Sequence, residues 1–111
     1  MVSQLTRGLK RRLMYVENRD GTIEDAHARI GWVTFSKSGQ TVYYRGRVLT
    51  KVRGGGVSGN FVDAATGEEF WVSGVKKRGS NAHPAERGVA IVVDDDAQAE
   101  YQAIRSPSLR A

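Results

Sequence analysis

Residues 30–49 read IGWVTFSKSGQTVYYRGRVL, and this stretch contains the strongest β-structure signal of the chain. It belongs to two runs rich in β-branched and aromatic residues, Arg29–Lys37 and Gln40–Leu49. Between them lies Ser38-Gly39, a pair of small residues that favours a tight turn. Two such runs around a short turn predict a β-hairpin.

Side chains alternate across a strand, so the hairpin has two faces. With Ser38 and Gly39 as a two-residue turn, the expected facing pairs are Trp32 and Arg45, Val33 and Tyr44, Thr34 and Tyr43, and Phe35 and Val42. The core face is then expected to hold Val33, Phe35, Val42, Tyr44 and Val48. The other face holds Ile30, Trp32, Thr34, Tyr43, Arg45 and Arg47. Gly31 would oppose Gly46 on the core face, which indicates a sharp bend or the close approach of another strand.

The rest of the chain predicts more strands and one helix. Leu13–Glu17 and the apolar run Val89–Val93 are expected to be strands, the second of them central in the sheet. Asn60–Ala64 and Glu68–Val75 predict a second hairpin, whose register the sequence leaves open. Asp94–Ser106 predicts a helix with Asp94 as its N-cap and an apolar stripe of Ala97, Tyr101 and Ile104. The predicted fold is mainly β: a small, partly open antiparallel barrel of five to six strands with one C-terminal α-helix.

Length and composition limit the class of protein. The 111 residues fit one domain and include no cysteine, which excludes disulfides and thiolate ligands. No apolar run approaches the ~20 residues of a membrane span, and no secretory signal is recognisable. We therefore expect a cytoplasmic protein without membrane contact. The expected organisation is a flexible basic arm over residues 1–13, one domain over residues 14–106 and a tail over residues 107–111.

The charges are unevenly distributed. The chain has 17 basic and 12 acidic residues, and four of the basic residues lie in residues 1–13. The remainder is nearly neutral, but residues 26–62 contain six basic residues and no acid, whereas residues 94–100 contain four acids and no base. This segregation predicts either a binding surface or a contact between the basic hairpin and the acidic helix.

Two long blocks carry a resemblance. Residues 30–46 contain I-G-x-V-T-F-S-K-S-G-x-T-x-Y-Y-R-G, and residues 63–74 contain D-x-x-T-G-E-E-F-W-V-S-G. On these blocks the chain resembles a widespread set of small uncharacterised bacterial proteins, over roughly residues 14–105. The resemblance implies a bacterial origin and no particular activity or site. The arm before Met14 and the longer segment 76–88 depart from that pattern.

The predicted binding face combines aromatic rings with arginines. Unpaired bases could stack on the rings of Trp32 and Tyr43, and phosphates could contact Arg45 and Arg47. The expected partner of this face is therefore RNA or single-stranded DNA. The basic residues Lys76, Lys77 and Arg78 could add phosphate contacts. The alternative is structural: the helix could pack on this face through Tyr101 and Ile104.

Other function classes have weaker support. A protein-interaction or homo-oligomeric module is the alternative, because an exposed edge strand can pair with another chain. A small ribonuclease would use His83 and Glu86, which are residue types suited to acid–base cleavage but have no recognisable spacing. Residues 54–59 are glycine-rich without a nucleotide-binding motif. We therefore predict a non-enzymatic binding module with no catalytic residues, no metal and no cofactor.

Overall fold

The computed structural model describes residues 8–52, 59–77 and 90–105. In these ranges the chain forms seven strands, a short 3-10 turn and a helix. Strands β1 to β4 are Arg11–Asn18, Ala28–Phe35, Thr41–Tyr44 and Arg47–Lys51. Strands β5 to β7 are Phe61–Asp63, Glu69–Gly74 and Ile91–Val93. The 3-10 turn covers Asp95–Ala97, and the helix α1 covers Gln98–Arg105.

Six of the strands close into an antiparallel barrel. Each strand from β1 to β6 pairs with the next along the chain, and β6 returns to pair with β1. β7 is added in parallel beside the first half of β2, whereas β3 pairs with the second half of the same edge. The predicted mainly β barrel with one C-terminal helix is confirmed, and its closure is complete.

The first hairpin keeps the predicted register near its turn and loses it further away. Thr34 pairs with Tyr43 and Phe35 with Val42, although five residues, 36–40, connect the two strands instead of a two-residue turn. The second run is not one strand, because it is broken by a two-residue turn at Arg45 and Gly46. Both turn residues have positive φ angles, 47° and 79°. Consecutive left-handed residues are typical of a type I′ hairpin.

This turn changes which side chains enter the core. Tyr44 pairs with Arg47 across the turn, so the alternation restarts and Leu49 points inward. Leu49 is fully buried, whereas Val48, predicted to lie in the core, is 39% exposed. The predicted core residues Val33, Val42 and Tyr44 are buried. The inner core that fills the barrel consists of Met14, Val16, Ile23, Val33, Val42, Tyr44, Leu49, Phe61, Phe70 and Val72.

A second core lies on the outside of the barrel. Tyr15, Ala28 and Ile30 are buried there, and Tyr101 of α1 packs against this cluster. The strand β1 therefore buries both of its faces, which explains the continuous apolar run at residues 13–16. Ile30 belongs to the face for which the sequence offered helix packing as the structural alternative. The contact of Tyr101 with this cluster therefore places α1 on part of that face.

Three element predictions need correction. β7 lies at the end of the strand order rather than in the centre, and Val92 is 43% exposed. The helical region starts as a 3-10 turn, and the Asp94 side chain makes no capping hydrogen bond. β1 begins at Arg11, so the C-terminal part of the predicted arm belongs to the barrel. Within the described ranges, no helix is long and apolar enough to cross a bilayer.

Candidate nucleic-acid interface

The positive and negative side chains of the barrel lie mostly at opposite ends of its antiparallel strands. One end, here called the basic end, is formed by residues 8–12, 35–41, 50–52 and 74–77, where β1 and β3 begin and β2, β4 and β6 end. These segments hold seven cations and no carboxylate. The cations are Lys10, Arg11, Arg12, Lys37, Lys51, Lys76 and Lys77.

The opposite end, here called the acidic end, holds seven carboxylates in residues 17–28, 44–47 and 63–69. Its arginines are neutralised in place. Arg45 Nε lies 3.2 Å from Glu24 Oε2, Arg47 Nη1 lies 2.8 Å from Asp63 Oδ2, and Arg19 is paired with Glu17. In contrast, most basic-end cations have no ion pair among the described residues; those without one are Lys10, Arg11, Arg12, Lys37, Lys51 and Lys77.

A cavity of about 400 Å³ opens at the basic end. It lies between the start of β1 and the loop that joins β2 to β3. Phe35 lies in its wall, and the Cζ atom of Arg12 lies 5.9 Å from the centroid of the Phe35 ring. The complete lining is Gly8, Leu9, Lys10, Arg12, Phe35, Ser36, Lys37, Ser38 and Gly39.

Two of the predicted aromatic residues lie on the outside of the barrel. Trp32 donates its Nε1–H to the Asp96 carbonyl at 3.0 Å, and the Cζ atom of Arg11 lies 5.1 Å from the centroid of its ring. Tyr43 is half-buried and lies in register between Thr34 and Val48. The 3-10 turn thus fixes one edge of Trp32, and Arg11, which has no ion pair within the described part of the chain, lies over its ring.

Arg45 lies in a different place from the one predicted. It does not pair with Trp32, because β3 ends at Tyr44, but both residues line a cleft of about 370 Å³ beside Asp94. The Nη1 atom of Arg45 is 4.0 Å from Asp94 Oδ2. Asp95 and Asp96 also line this cleft, so its cations face an excess of carboxylates. Phosphate would be repelled there.

Arg47 is also misplaced by the sequence prediction, since it points into the barrel and not outward. Its Cζ atom lies 5.0 Å from the Phe70 ring centroid, and it donates hydrogen bonds to Asp63 and Glu68. Burial lowers the pKa of the Arg47 guanidinium, but the hydrogen bonds to Glu68 and Asp63 outweigh burial and raise it. The same contact, together with those from Asn18 and Thr66, lowers the pKa of Glu68. Arg47 therefore closes the acidic end of the barrel.

The polar centre of the fold is Asp94. Its carboxylate accepts hydrogen bonds from Arg29 at 3.0 Å and from the Tyr44 hydroxyl at 2.5 Å, and Asp94 itself is buried. Burial, and next the hydrogen bond to Asp94, raise the pKa of Tyr44 well above its ordinary value. Asp94 thus holds the predicted N-cap position, directly before the 3-10 turn, but its side chain links β7, β2 and β3 instead of capping that turn.

The remaining predicted site residues divide into placed and unplaced ones. Lys76 and Lys77 follow β6 at the basic end, where the Lys76 carbonyl accepts a hydrogen bond from Arg105 at 2.9 Å. Arg78, His83 and Glu86 lie outside the described residues. No group of three histidine, cysteine or carboxylate side chains suited to a metal occurs in the described ranges.

The sequence prediction of the site leaves out four exposed cations of the basic end: Lys10, Arg11, Arg12 and Lys37. The sequence places Lys10, Arg11 and Arg12 in a flexible arm, and it places Lys37 at the end of the first β-rich run without a binding role. Their signal is visible in the sequence as three successive cations directly before an apolar run. Comparison of the chain with protein-family models, with curated proteins and with solved structures finds no match.

Proposed function

We propose that this protein is a non-enzymatic module that binds nucleic acid through phosphate contacts at the basic end of the barrel. The observation that carries the proposal is the contrast between the two ends. Arginines at the acidic end are held by carboxylates, whereas Lys10, Arg12 and Lys37 have none among the described residues. Cations without internal partners are suited to an external polyanion.

Salt dependence tests this proposal. Fluorescence anisotropy with a labelled 15-nucleotide oligomer should give an affinity that falls linearly with the logarithm of salt concentration. Each phosphate neutralised contributes about −0.7 to the slope on a single strand. Lys37→Gln should therefore reduce the slope by about 0.7, and Lys10→Gln with Lys37→Gln by about twice that.

Arg45→Gln is the matched control. It removes the same charge from the acidic end, where Arg45 is already paired with Glu24. We expect it to leave the salt slope unchanged. Absence of binding by the complete chain at 50 mM salt would contradict the proposal, as would equal effects of Lys37→Gln and Arg45→Gln.

A protein partner is the second candidate. β7 stands at the end of the strand order, and Val92 is 43% exposed on it. An edge strand of this kind can accept a strand from another chain. Light scattering tests self-association, and Val92→Lys should abolish any dimer formed through β7.

The ribonuclease hypothesis stays a prediction, tested by incubating the protein and its His83→Ala variant with RNA.

A further inference from the structure

The cavity at the basic end is of the size of a small-ligand site. Its volume of about 400 Å³ lies within the range of ~300–1,000 Å³ that is usual for such sites. A duplex keeps its bases stacked inside, and a base must leave the stack to enter a cavity. A cavity of this size at a phosphate-binding end therefore favours a strand whose bases are unpaired.

The wall of the cavity offers an aromatic surface. Phe35 is half-buried and packs against the inner core, which holds its ring in place. The Cζ atom of Arg12 lies 5.9 Å from the ring centroid, at the outer limit of ~6 Å for a cation–π contact. Arg12 therefore covers Phe35 less closely than Arg11 covers Trp32, where the distance is 5.1 Å. Leu9 extends the apolar surface. A base can stack on such a surface regardless of its identity.

The rim of the cavity offers charge and hydroxyl donors. Lys10, Arg12 and Lys37 line it, and none has an ion pair among the residues described. The hydroxyl oxygens of Ser36 and Ser38 accept backbone N–H groups from Thr41 and Gln40 at 3.1 and 3.2 Å. Each hydroxyl still has its own proton to donate, as a phosphate oxygen requires.

We infer that this cavity takes one unpaired nucleotide, with its base against Phe35 and its phosphate between Lys10, Arg12 and Lys37. The inference rests on the proposed function and adds that single strands are the preferred substrate. Stacking is independent of charge, so it contributes to affinity without changing the salt slope.

The experiment compares a single-stranded 15-mer with the same sequence in a blunt duplex, using the complete chain. Phe35→Leu keeps an apolar side chain in the core contact but removes the ring. It should weaken binding to the single strand by about 5- to 150-fold, leave the duplex affinity within twofold and leave the salt slope unchanged. Tyr43→Leu is the matched control, because Tyr43 lies outside the cavity lining.

The outcomes separate this inference from the proposed function. Equal affinity for both substrates, with a normal salt slope, would overturn the nucleotide site and leave the phosphate contacts standing. A loss with Tyr43→Leu but not with Phe35→Leu would also overturn it. As a test that needs no variant, adenosine 5′-monophosphate should shift the backbone amide resonances of Ser38 and Gly39, and unchanged resonances at saturating nucleotide would contradict the inference. Failure of the complete chain to bind either oligomer would contradict both proposals.

Discussion

The carboxylate of Asp94 occupies the space that a side chain at residue 31 would need. A β-carbon built on Gly31 would lie 2.1 Å from Asp94 Oδ2 and 2.8 Å from the Tyr44 hydroxyl oxygen. Asp94 cannot easily move away, because Arg29 and Tyr44 hold both of its oxygens. Gly31 is therefore required by a polar contact, at the place where β2 passes from pairing with β7 to pairing with β3.

Gly31→Ala should destabilise the fold by about 3 kcal/mol, at the upper end of the usual cost of overpacking. The measurement is the free energy of unfolding from urea titration. Gly74→Ala is the matched control, because a β-carbon there would meet nothing within 4 Å. Equal stability of the two variants would contradict the close approach.

Tyr44→Phe should cost about 1–3 kcal/mol at neutral pH, because Asp94 loses a buried hydrogen bond. The pKa of Tyr44 is raised in the folded state. The contribution of the protonated Tyr44 hydroxyl to the free energy of unfolding is therefore complete below pH 10, and it is lost as the pH rises above that value. The stability difference between the natural chain and Tyr44→Phe should thus narrow above pH 10. A constant difference from pH 8 to pH 11.5 would contradict this assignment.

Glu68 should contribute to acid sensitivity. The pKa of Glu68 is lowered in the folded state, first by the hydrogen bond from Arg47. The contribution of the Glu68 carboxylate to the free energy of unfolding is therefore complete above pH 4.5, and it is lost as the pH falls below that value. Glu68→Gln should be less stable at neutral pH and should lose less stability between pH 4.5 and pH 3. Glu100→Gln, an exposed change on α1, serves as the control and should follow the natural chain.

Arg47→Met should destabilise the barrel by about 1–3 kcal/mol, since Asp63 is buried and would lose its charged partner. The affinity of the Arg47→Met variant for nucleic acid should equal that of the natural chain at a temperature where the variant remains folded. Thermal unfolding followed by circular dichroism and an anisotropy titration measure the two effects. A weaker affinity of Arg47→Met for nucleic acid, with an unchanged melting temperature, would contradict this prediction and would indicate that Arg47 belongs to the binding surface.

The sequence was sufficient for the class of fold and for the local register of the first hairpin. Alternation of apolar residues identified Val33 and Val42 as core, and the small residues Ser38 and Gly39 located the turn. The turn at Arg45-Gly46 was missed, because its first position lacks the asparagine or aspartate that usually marks a type I′ turn. Because this turn was missed, the alternation was continued through it, and Arg47 and Val48 were assigned to the wrong faces.

The candidate site was predicted less well than the fold. The sequence identified aromatic and basic residues as candidates for binding. Which of the basic residues are available to a ligand depends on which of them are already paired with carboxylates. Carboxylates far along the chain decide that question: Asp63 neutralises Arg47, and Asp94 pairs with Arg29. Pairings over such separations are not visible as a pattern in the sequence. Closure of the barrel was likewise decided by the distant pairing of β1 with β6.

Among the described residues, the separation of the barrel into a basic and an acidic end produces an electric dipole moment along the barrel axis. In the field of any polyanion this dipole produces a torque that turns Lys10, Arg12 and Lys37 forward before contact. Such pre-orientation raises the fraction of productive encounters and weakens as added salt shortens the range of the field. The order of strands in a simple meander thus sets not only where these charges lie but also which end of the barrel would face a polyanion.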